Sequence, residues 1–511
     1  MNRLASAAVA LMLAMLFAAE TAAQRGTNTG RVPPPSGWPR VGGFGMPSMG
    51  EIAPERRNTG MPFKGPIPFP PADGQWVRVL TPHFDIVSSA GERKTRAIAE
   101  DFERLTALLT RTSAVFRLPP NRTRVFVFGD HREVQPYIDA VRGVRVDATG
   151  ITFRHPDGST MLLDATMRGG EAVTPRHELV HDLLRRGERP LPLWIEEGLA
   201  EYYGNAGMTV REHVSRLRMR LRMPLAEMFA MGYDSPQSGS FDFYAQSWAT
   251  VATLMRRDAQ AFFALVADLD AGTSALDALR THYRMSALDL EVAMRKVHAP
   301  ATSVLLDPVS LQYAPKPVPH DELLHDLAEL LARVPNREDE AERHFRAALD
   351  AAPDRDPLPF AEFLVTKTKH FEEARALAER QIENPRAQAV IALSYLGQND
   401  RAAARPYLER AHIALPEPAD IAFNLFALSI ESGDRDMADT LFPRLEPTPR
   451  ITDARRLLLR VDIPRADALA REGKLLEPAR VLRDLAPKMP GKTRENLEMQ
   501  AAGLEAAAKP R

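Results

Sequence analysis

The sequence contains no cysteine among its 511 residues. Disulfide bonds, thiolate zinc sites, iron–sulfur clusters and cysteine nucleophiles are therefore excluded, and so is a lipid-modified N-terminal cysteine. Any metal site must be built from histidine, aspartate and glutamate. The net charge is also close to zero, because 66 Lys and Arg residues stand against 67 Asp and Glu residues. This balance argues against a generally basic nucleic-acid-binding protein, although it leaves room for a local basic patch.

Long apolar runs are also missing, apart from one at the N-terminus. Arg3 precedes the apolar run Ala5–Ala19, and Thr21-Ala22-Ala23 is a cleavage sequence of small residues. A spanning helix needs roughly 20 apolar residues, more than this run provides. We therefore expect residues 1–23 to be a signal peptide rather than a membrane anchor. The mature protein would then be exported, to the periplasm or the medium, without a stable membrane span.

Three regions follow the predicted signal peptide. Residues 24–75 are rich in proline and glycine, which suit neither helices nor central strands, so we expect a disordered linker. Residues 76–300 begin with β-rich runs and continue with helical periodicity. This order predicts an α+β domain whose sheet lies in its first half. Within it, Gly150–Phe153 and Thr160–Leu163 flank a turn sequence and are predicted to form a hairpin.

Residues 301–511 show helical periodicity without a strand pattern. Glycines at 397, 433 and 473 mark turns between helical runs, 36 and 40 residues apart. Paired helices with a period near 34 are typical of tetratricopeptide (TPR) repeats. We therefore expect an all-α, TPR-like solenoid, and the alternative is an irregular helical domain.

The motif that carries chemistry is His177-Glu178-Leu179-Val180-His181. Residues four apart on a helix project from the same face, so His177 and His181 can bind one zinc ion. Glu178 lies beside the metal rather than on it, where it can act as the general base toward a zinc-bound water. The alternative is a helix with two hydrogen-bonded histidines and a solvated glutamate.

A third ligand is available on the next predicted helix. A catalytic zinc takes three protein ligands, and Glu197 lies sixteen residues after His181. Glu197 and Glu201 are four residues apart and face the same way. Gly198 is expected to let the two helices approach each other closely.

Together these two segments resemble the gluzincins, the thermolysin-like and aminopeptidase-like zinc peptidases. The resemblance rests on the His177–His181 motif and on Trp194–Tyr202, which is similar to the tryptophan-led Glu-Gly helix of that family. It implies an α+β zincin-like fold and one zinc ion per chain, with Glu197 as third ligand. It also implies that Glu201 orients the first histidine. Glu196 stands where many members have asparagine, a difference that does not touch the metal.

Two outer segments extend the resemblance to the branch called peptidase MA-like, over about residues 76–298. They are Thr81–Ile86 and Phe243–Ala249. The resemblance implies an edge strand that pairs with an extended substrate, and Thr160–Leu163 is the candidate. It also implies that Tyr244 stabilises an oxyanion, the alternative being a packing tyrosine. His155 is expected to be an ordinary surface or loop residue.

These features predict an exported zinc-dependent peptidase that acts on peptides or proteins, with an endopeptidase favoured. The TPR-like domain would recruit the substrate or a protein partner. The alternative is a non-catalytic, TPR-like interaction protein with a structural or relic zinc domain. Glu178 argues against this alternative, because a structural site needs ligands but no base.

Overall fold

The fold comes from a computed structural model that describes residues 63–145, 148–155, 158–166, 173–184, 191–205, 223–233, 235–296 and 315–509. The predicted signal peptide, residues 24–62 of the predicted linker and the turn residues Gly187 and Pro190 lie outside these ranges. The chain divides into two compact units between Asp356 and Pro357. None of the helices in the described ranges combines the length and the apolarity that crossing a membrane requires.

The first unit contains a mixed sheet of six strands in the order β4-β5-β3-β2-β1-β6. The strands are β1 (Val77–Leu80), β2 (Phe84–Ser88), β3 (Thr123–Phe128), β4 (Gly150–His155), β5 (Gly158–Asp164) and β6 (Lys316–Pro317). The β2–β3 and β3–β5 pairs are parallel, and the other three pairs are antiparallel. The predicted hairpin is confirmed as the β4–β5 pair.

The helices of this unit mostly follow the sheet in sequence. They are α1 (Glu92–Thr112), α2 (His131–Arg142), α3 (Val173–Leu183), α4 (Leu193–Gly204), α5 (Leu225–Ala230), α6 (Phe241–Arg257), α7 (Ala259–Asp270), α8 (Ala275–Tyr283), α9 (Ala287–Met294), α10 (His320–Leu331) and α11 (Glu338–Ala351). Side-chain caps fix several starts: Ser240 accepts a hydrogen bond from the N–H of Phe243, and Asp258 from that of Ala261. This region therefore combines a small sheet with many helices, which is compatible with the predicted α+β class.

The main core lies on one face of the sheet. Phe84 of β2 packs there with Phe102 of α1, Leu179 of α3 and Trp194 of α4, all buried. Because side chains alternate along a strand, the residues between these core positions project from the opposite face. Arg124 of β3 is one of them. The two faces therefore meet different sets of helices.

The first unit extends beyond the predicted domain boundary at residue 300. A strand not predicted after Pro300, β6, pairs with β1. On α10, Asp326 forms ion pairs with Arg78 and with Arg124, the latter with 2.8 Å between Arg124 Nη1 and Asp326 Oδ1. These contacts join residues 316–351 to the sheet, so the two units divide at 356/357. The sequence pattern missed this because a helix that docks on a sheet has the same periodicity as one in a repeat.

The end of the predicted linker is packed rather than disordered. Ile67 is only 1% exposed, and Arg337 donates hydrogen bonds to the carbonyls of Phe63 and Gly65 at 2.7 and 3.0 Å. Prolines hold residues 63–71 extended, so their carbonyls accept from side chains instead of from a strand ladder. We call residues 63–71 the N-terminal strap.

Shortening Ile67 to valine is expected to lower the free energy of unfolding by about 0.5–1.5 kcal/mol, because one buried methyl group is lost. Urea unfolding of the full chain measures the change. Lys64→Ala is the control, since Lys64 is an exposed residue of the same strap and its loss should change stability by less than about 0.5 kcal/mol. Equal stability of Ile67→Val and wild type would contradict a packed strap.

The second unit is helical throughout residues 357–509. Its helices are α12 (Leu358–Phe363), α13 (Phe371–Glu379), α14 (Pro385–Gly397), α15 (Arg401–Ala414), α16 (Ala419–Ser432), α17 (Arg435–Leu445), α18 (Ile451–Arg471), α19 (Leu476–Leu485) and α20 (Gly491–Ala507). A π-helical turn, Leu364–Thr368, follows α12, and a 3₁₀ turn, Ala486–Lys488, follows α19. From α13 onward, each helix packs on the next along the chain.

Candidate metal centre

Helix α3 carries the two histidines of the motif on one face. The ring centroids of His177 and His181 lie 4.7 Å apart, as the spacing of four residues predicts. Strand β4 supports the helix from the side: the Thr152 hydroxyl donates to the carbonyl of Glu178 at 3.0 Å, and Arg154 donates to the carbonyl of His181. A guanidinium at the last carbonyls of a helix is favourable, because those carbonyls have no partner in the helix.

Helix α4 brings Glu197 to the histidines and buries it. Gly198, the next residue, contacts α6 rather than α3: a Cβ there would lie 2.6 Å from Val251 Cγ2 and 2.8 Å from the Ser247 carbonyl oxygen. The expectation that Gly198 allows α3 and α4 to approach was therefore wrong. Its small size instead seats α4 against α6.

The three predicted ligands converge. The Nε2 atoms of His177 and His181 are 3.0 Å apart, and Glu197 Oε2 lies 3.3 Å from the first and 3.4 Å from the second. Bonds of about 2.0–2.1 Å at tetrahedral angles place ligand atoms about 3.3–3.4 Å apart. The triangle therefore fits one face of a tetrahedral zinc site. Two imidazoles and a carboxylate are also a donor set that suits zinc.

In the metal-free protein these three groups strongly shift one another's pKa. Burial lowers the pKa of His177, but hydrogen bonds to Glu197 and Glu201 outweigh it, and the pKa lies well above its ordinary value. Burial lowers the pKa of His181. Burial raises the pKa of Glu197, but the two histidines outweigh it and hold the pKa well below its ordinary value. His177 is thus the histidine that takes the proton.

The carboxylate of Glu201 contacts His177 on the ring nitrogen that is not directed at the other two ligands. Its Oε1 lies 3.2 Å from His177 Nδ1, which leaves Nε2 directed at the other two ligands. Glu201 is in turn held by Asn205, whose side-chain amide lies 3.1 Å from Glu201 Oε2. The sequence interpretation included Glu201 and missed Asn205. The spacing of four residues from Glu201 to Asn205 was the available signal.

The Glu201→Gln variant is expected to bind zinc about tenfold more weakly than wild type, because the amide is a poorer acceptor for the imidazole N–H that fixes His177. Competition against a fluorescent zinc chelator measures the affinity. Glu227→Gln, which removes a carboxylate from α5, serves as the control and should bind zinc as wild type does. An unchanged affinity in Glu201→Gln would mean that the contact does not orient the ligand.

Glu178 faces the β4 side of α3. A Cβ on Gly150 would lie 3.2 Å from Glu178 Cγ, so this glycine leaves room for the carboxylate. The prediction that Thr160–Leu163 is an edge strand that pairs with a substrate is wrong. These residues lie in β5, between β3 and β4. The edge strand beside α3 is β4. Hairpins do not reveal from sequence which of their two strands is outermost.

Tyr244 lies on α6 close to the first histidine. Its ring centroid is 6.3 Å from that of His177, in an edge-to-face arrangement, and its side chain is half-buried. The structure therefore brings Tyr244 to the metal centre. Glu196, by contrast, is buried away from the ligands and accepts a hydrogen bond from the hydroxyl of Tyr233.

The raised pKa of His177 predicts that the stability of the metal-free protein depends on pH. The stabilisation is fully present below the unfolded-state pKa of about 6.5 and is lost as pH rises through the higher folded-state pKa. Urea unfolding of chelator-treated protein should therefore give a free energy that falls over this interval. The slope should be smaller in Glu201→Gln, which lacks one of the two interactions that raise the pKa. Identical slopes in Glu201→Gln and wild type would mean that Glu201 does not raise the pKa of His177.

No family model matches this chain, and a search of the curated proteins found no match.

Proposed function

We propose that this protein is a zinc-dependent peptidase whose metal centre is formed by His177, His181 and Glu197. The observation that supports this most strongly is the triangle of their ligand atoms, with edges of 3.0–3.4 Å. Glu178, the adjacent residue on α3, supplies the base that a purely structural metal site does not need. When bound at such a site, zinc lowers the pKa of water to about 7 and polarises carbonyl groups.

Glu178 would move the proton during hydrolysis. Its carboxylate accepts a proton from the attacking water as the oxygen bonds to the peptide carbonyl carbon, and it donates that proton to the leaving amine as the C–N bond breaks. The residue is buried, with 9% of its surface exposed, and the contact of β4 with its backbone carbonyl fixes the helix around it. A base held in this way loses little freedom when the substrate binds.

The substrate would bind along the outer edge of β4. An edge strand presents unpaired N–H and C=O groups to which an extended peptide can add as a further strand. Thr152 of β4 contacts α3 at Glu178, so a peptide on this edge passes close to the base. Tyr244, beside His177, would donate a hydrogen bond from its hydroxyl to the oxygen that becomes negative.

The helical unit would be TPR-like and would recruit a substrate or a protein partner. The first helices of three successive pairs, α14, α16 and α18, begin at residues 385, 419 and 451, which are 34 and 32 residues apart. Helix α16 contacts both its partner α17 and the first helix of the next pair, α18. This pattern of contacts is typical of stacked repeats. Export of the protein is part of the same proposal.

The test is zinc content by elemental analysis together with cleavage of casein by purified protein without its signal peptide. Wild type should carry one equivalent of zinc and cleave casein, whereas Glu197→Ala should carry none and be inactive. Glu196→Gln is the matched control, because it removes a buried carboxylate one residue away and should keep both properties. Wild type that binds no zinc after incubation with the metal would contradict the proposal.

A further inference from the structure

A second candidate site lies on the face of the sheet opposite the metal helix. Here a cavity of about 350 Å³ opens between the strands and the C-terminal part of α10. Because side chains alternate along β4, Arg154 contacts α3 while His155, the next residue, projects to the cavity. The cavity and the metal centre therefore lie on the two sides of the β4–β5 hairpin.

Two of the three carboxylates that line the cavity are already bound by arginine. Asp85 receives Arg78 Nε at 3.1 Å and Arg124 Nε at 2.9 Å. The same two arginines hold both oxygens of Asp326. The charges of Asp85 and Asp326 are therefore neutralised within the protein. Glu329, the third carboxylate, lies 4.0 Å from Arg124 Nη1.

The cavity is also a poor site for a cation. Ligand atoms of His325, Asp326 and Glu329 lie within 4.8 Å of one another, a spacing that a metal could use. However, the guanidinium groups of Arg78 and Arg124 occupy Asp326 and would repel a metal ion. The arginines that line the cavity, Arg122, Arg124 and Arg333, favour an anion instead.

Several hydrogen-bond donors of the cavity are unmatched within the part of the chain that the structure describes. Arg122 donates through Nε to the Thr81 carbonyl at 2.7 Å, and Arg333 through Nη1 to the Glu329 carbonyl at 2.9 Å, but neither guanidinium meets a carboxylate there. Both line the cavity. Arginine has five N–H donors and no acceptor, so each can bind a further oxygen-rich group.

His155 adds a third such group. Its Nε2 lies 3.3 Å from the Thr160 hydroxyl, while its buried Nδ1 has no partner among the described residues. Burial and the charge of Arg333 lower the pKa of His155 to about 3, so the ring is neutral and can present an N–H at Nδ1. An oxyanion placed between His155 and Arg333 would accept from both. It would also offset the repulsion that now lowers this pKa.

We propose that this cavity binds a small oxyanion, a carboxylate or a phosphate group, through Arg122, Arg333 and the Nδ1 of His155. Guanidinium groups bind such oxyanions through paired N–H donors. Leu80 and Leu330 also line the cavity and would contact an apolar portion of the ligand. A cavity of this size is at the lower end of the range for small-molecule sites.

The experiment is isothermal titration calorimetry on the full chain carrying Glu197→Ala, so that the metal centre cannot hold the anion. Inorganic phosphate and acetate are the probes, in separate titrations. At least one of them should bind, and whichever binds more tightly identifies the phosphate or the carboxylate form of the ligand. Arg333→Gln and Arg122→Gln should each weaken that binding about tenfold or more, because a charge-assisted contact is lost.

The matched control is Arg117→Gln. Arg117 is exposed and donates through Nε to a backbone carbonyl, as Arg122 does, but it does not line the cavity. Its substitution should leave the affinity unchanged. Arg333→Lys, which keeps the charge, should bind the anion more tightly than Arg333→Gln, and this excludes a general loss of structure as the cause.

Three results would overturn the proposal. The first is no binding of either probe at millimolar concentration. The second is that the Glu197→Ala chain binds the anion equally well with and without the further substitution Arg122→Gln or Arg333→Gln. That result would mean an adventitious ion only. The third is that ZnCl₂ binds to the Glu197→Ala chain and is lost in Asp326→Asn, which would make the cavity a cation site. Because the metal centre is removed in every arm, none of these results depends on whether the protein is a peptidase.

Discussion

Replacing Glu178 by glutamine is expected to lower peptide hydrolysis by about 10²–10⁴-fold while the protein keeps one equivalent of zinc. Glutamine has nearly the same size, so α3 and its two histidines should stay in place. The amide cannot accept the proton of the attacking water or return it to the leaving amine. The rate constant kcat should therefore fall much more than KM changes.

Casein cleavage and zinc content measured on the same samples test this expectation. Glu103→Gln is a suitable control, because Glu103 is also a buried carboxylate, but it contacts His83 and not the metal centre. Glu103→Gln can lose some stability, but each folded molecule should hydrolyse casein much faster than Glu178→Gln does. If Glu178→Gln hydrolyses casein at the wild-type rate, Glu178 is not the base. If it loses zinc, the residue acts on the ligands instead.

The second large effect is expected from Gly198→Ala. The added Cβ would lie 2.8 Å from the Ser247 carbonyl oxygen, a backbone atom of α6 that cannot move without shifting the helix. Overpacking of this kind costs about 1–3 kcal/mol. Because Glu197 is the neighbouring residue on α4, the shift should also move its carboxylate away from the histidines and weaken zinc binding.

Gly503→Ala provides the opposite case. Gly503 also lies inside a helix, α20, but a Cβ there would meet no atom within 4 Å. This substitution should raise the free energy of unfolding by up to about 1 kcal/mol, since alanine is the better helix former. Thermal unfolding and zinc affinity of the two variants give the comparison. Stabilisation by both substitutions would contradict the close contact of α4 with α6.

The two candidate histidine ligands could be predicted from sequence because their geometry is local. A spacing of four residues fixes His177 against His181 on one helix, whatever the rest of the chain does. Local spacing alone could not predict Glu197 as a ligand, since its approach to α3 depends on how two helices pack. Its assignment came from the resemblance to a family. The convergence of the three ligand atoms agrees with that assignment.

Features that depend on long-range contacts were missed or misplaced. Whether β4 or β5 is the edge depends on the pairing of Arg124 in β3 with Thr160 in β5, which no local pattern encodes. His155 was expected to be an ordinary surface or loop residue, yet it lies at the end of a strand beside Arg333, far away in sequence. The strap was read as linker because proline indicates an extended chain but not what that chain contacts.

The N-terminal strap also constrains the order in which the first unit can fold. Residues 63–71 emerge early during synthesis, but they also contact Arg337, just before α11, and Arg343 of α11, which emerge more than 250 residues later. The strap can first contact α2, through the hydrogen bonds of Phe63 with the Gly143 carbonyl and of the Tyr137 hydroxyl with the Pro68 carbonyl. Its docking is complete only once α11 has formed. Contacts so distant in sequence carry a large loop-closure cost and slow folding. The second unit, in which successive helices pack on one another, faces no such delay and can form each pair as it is made.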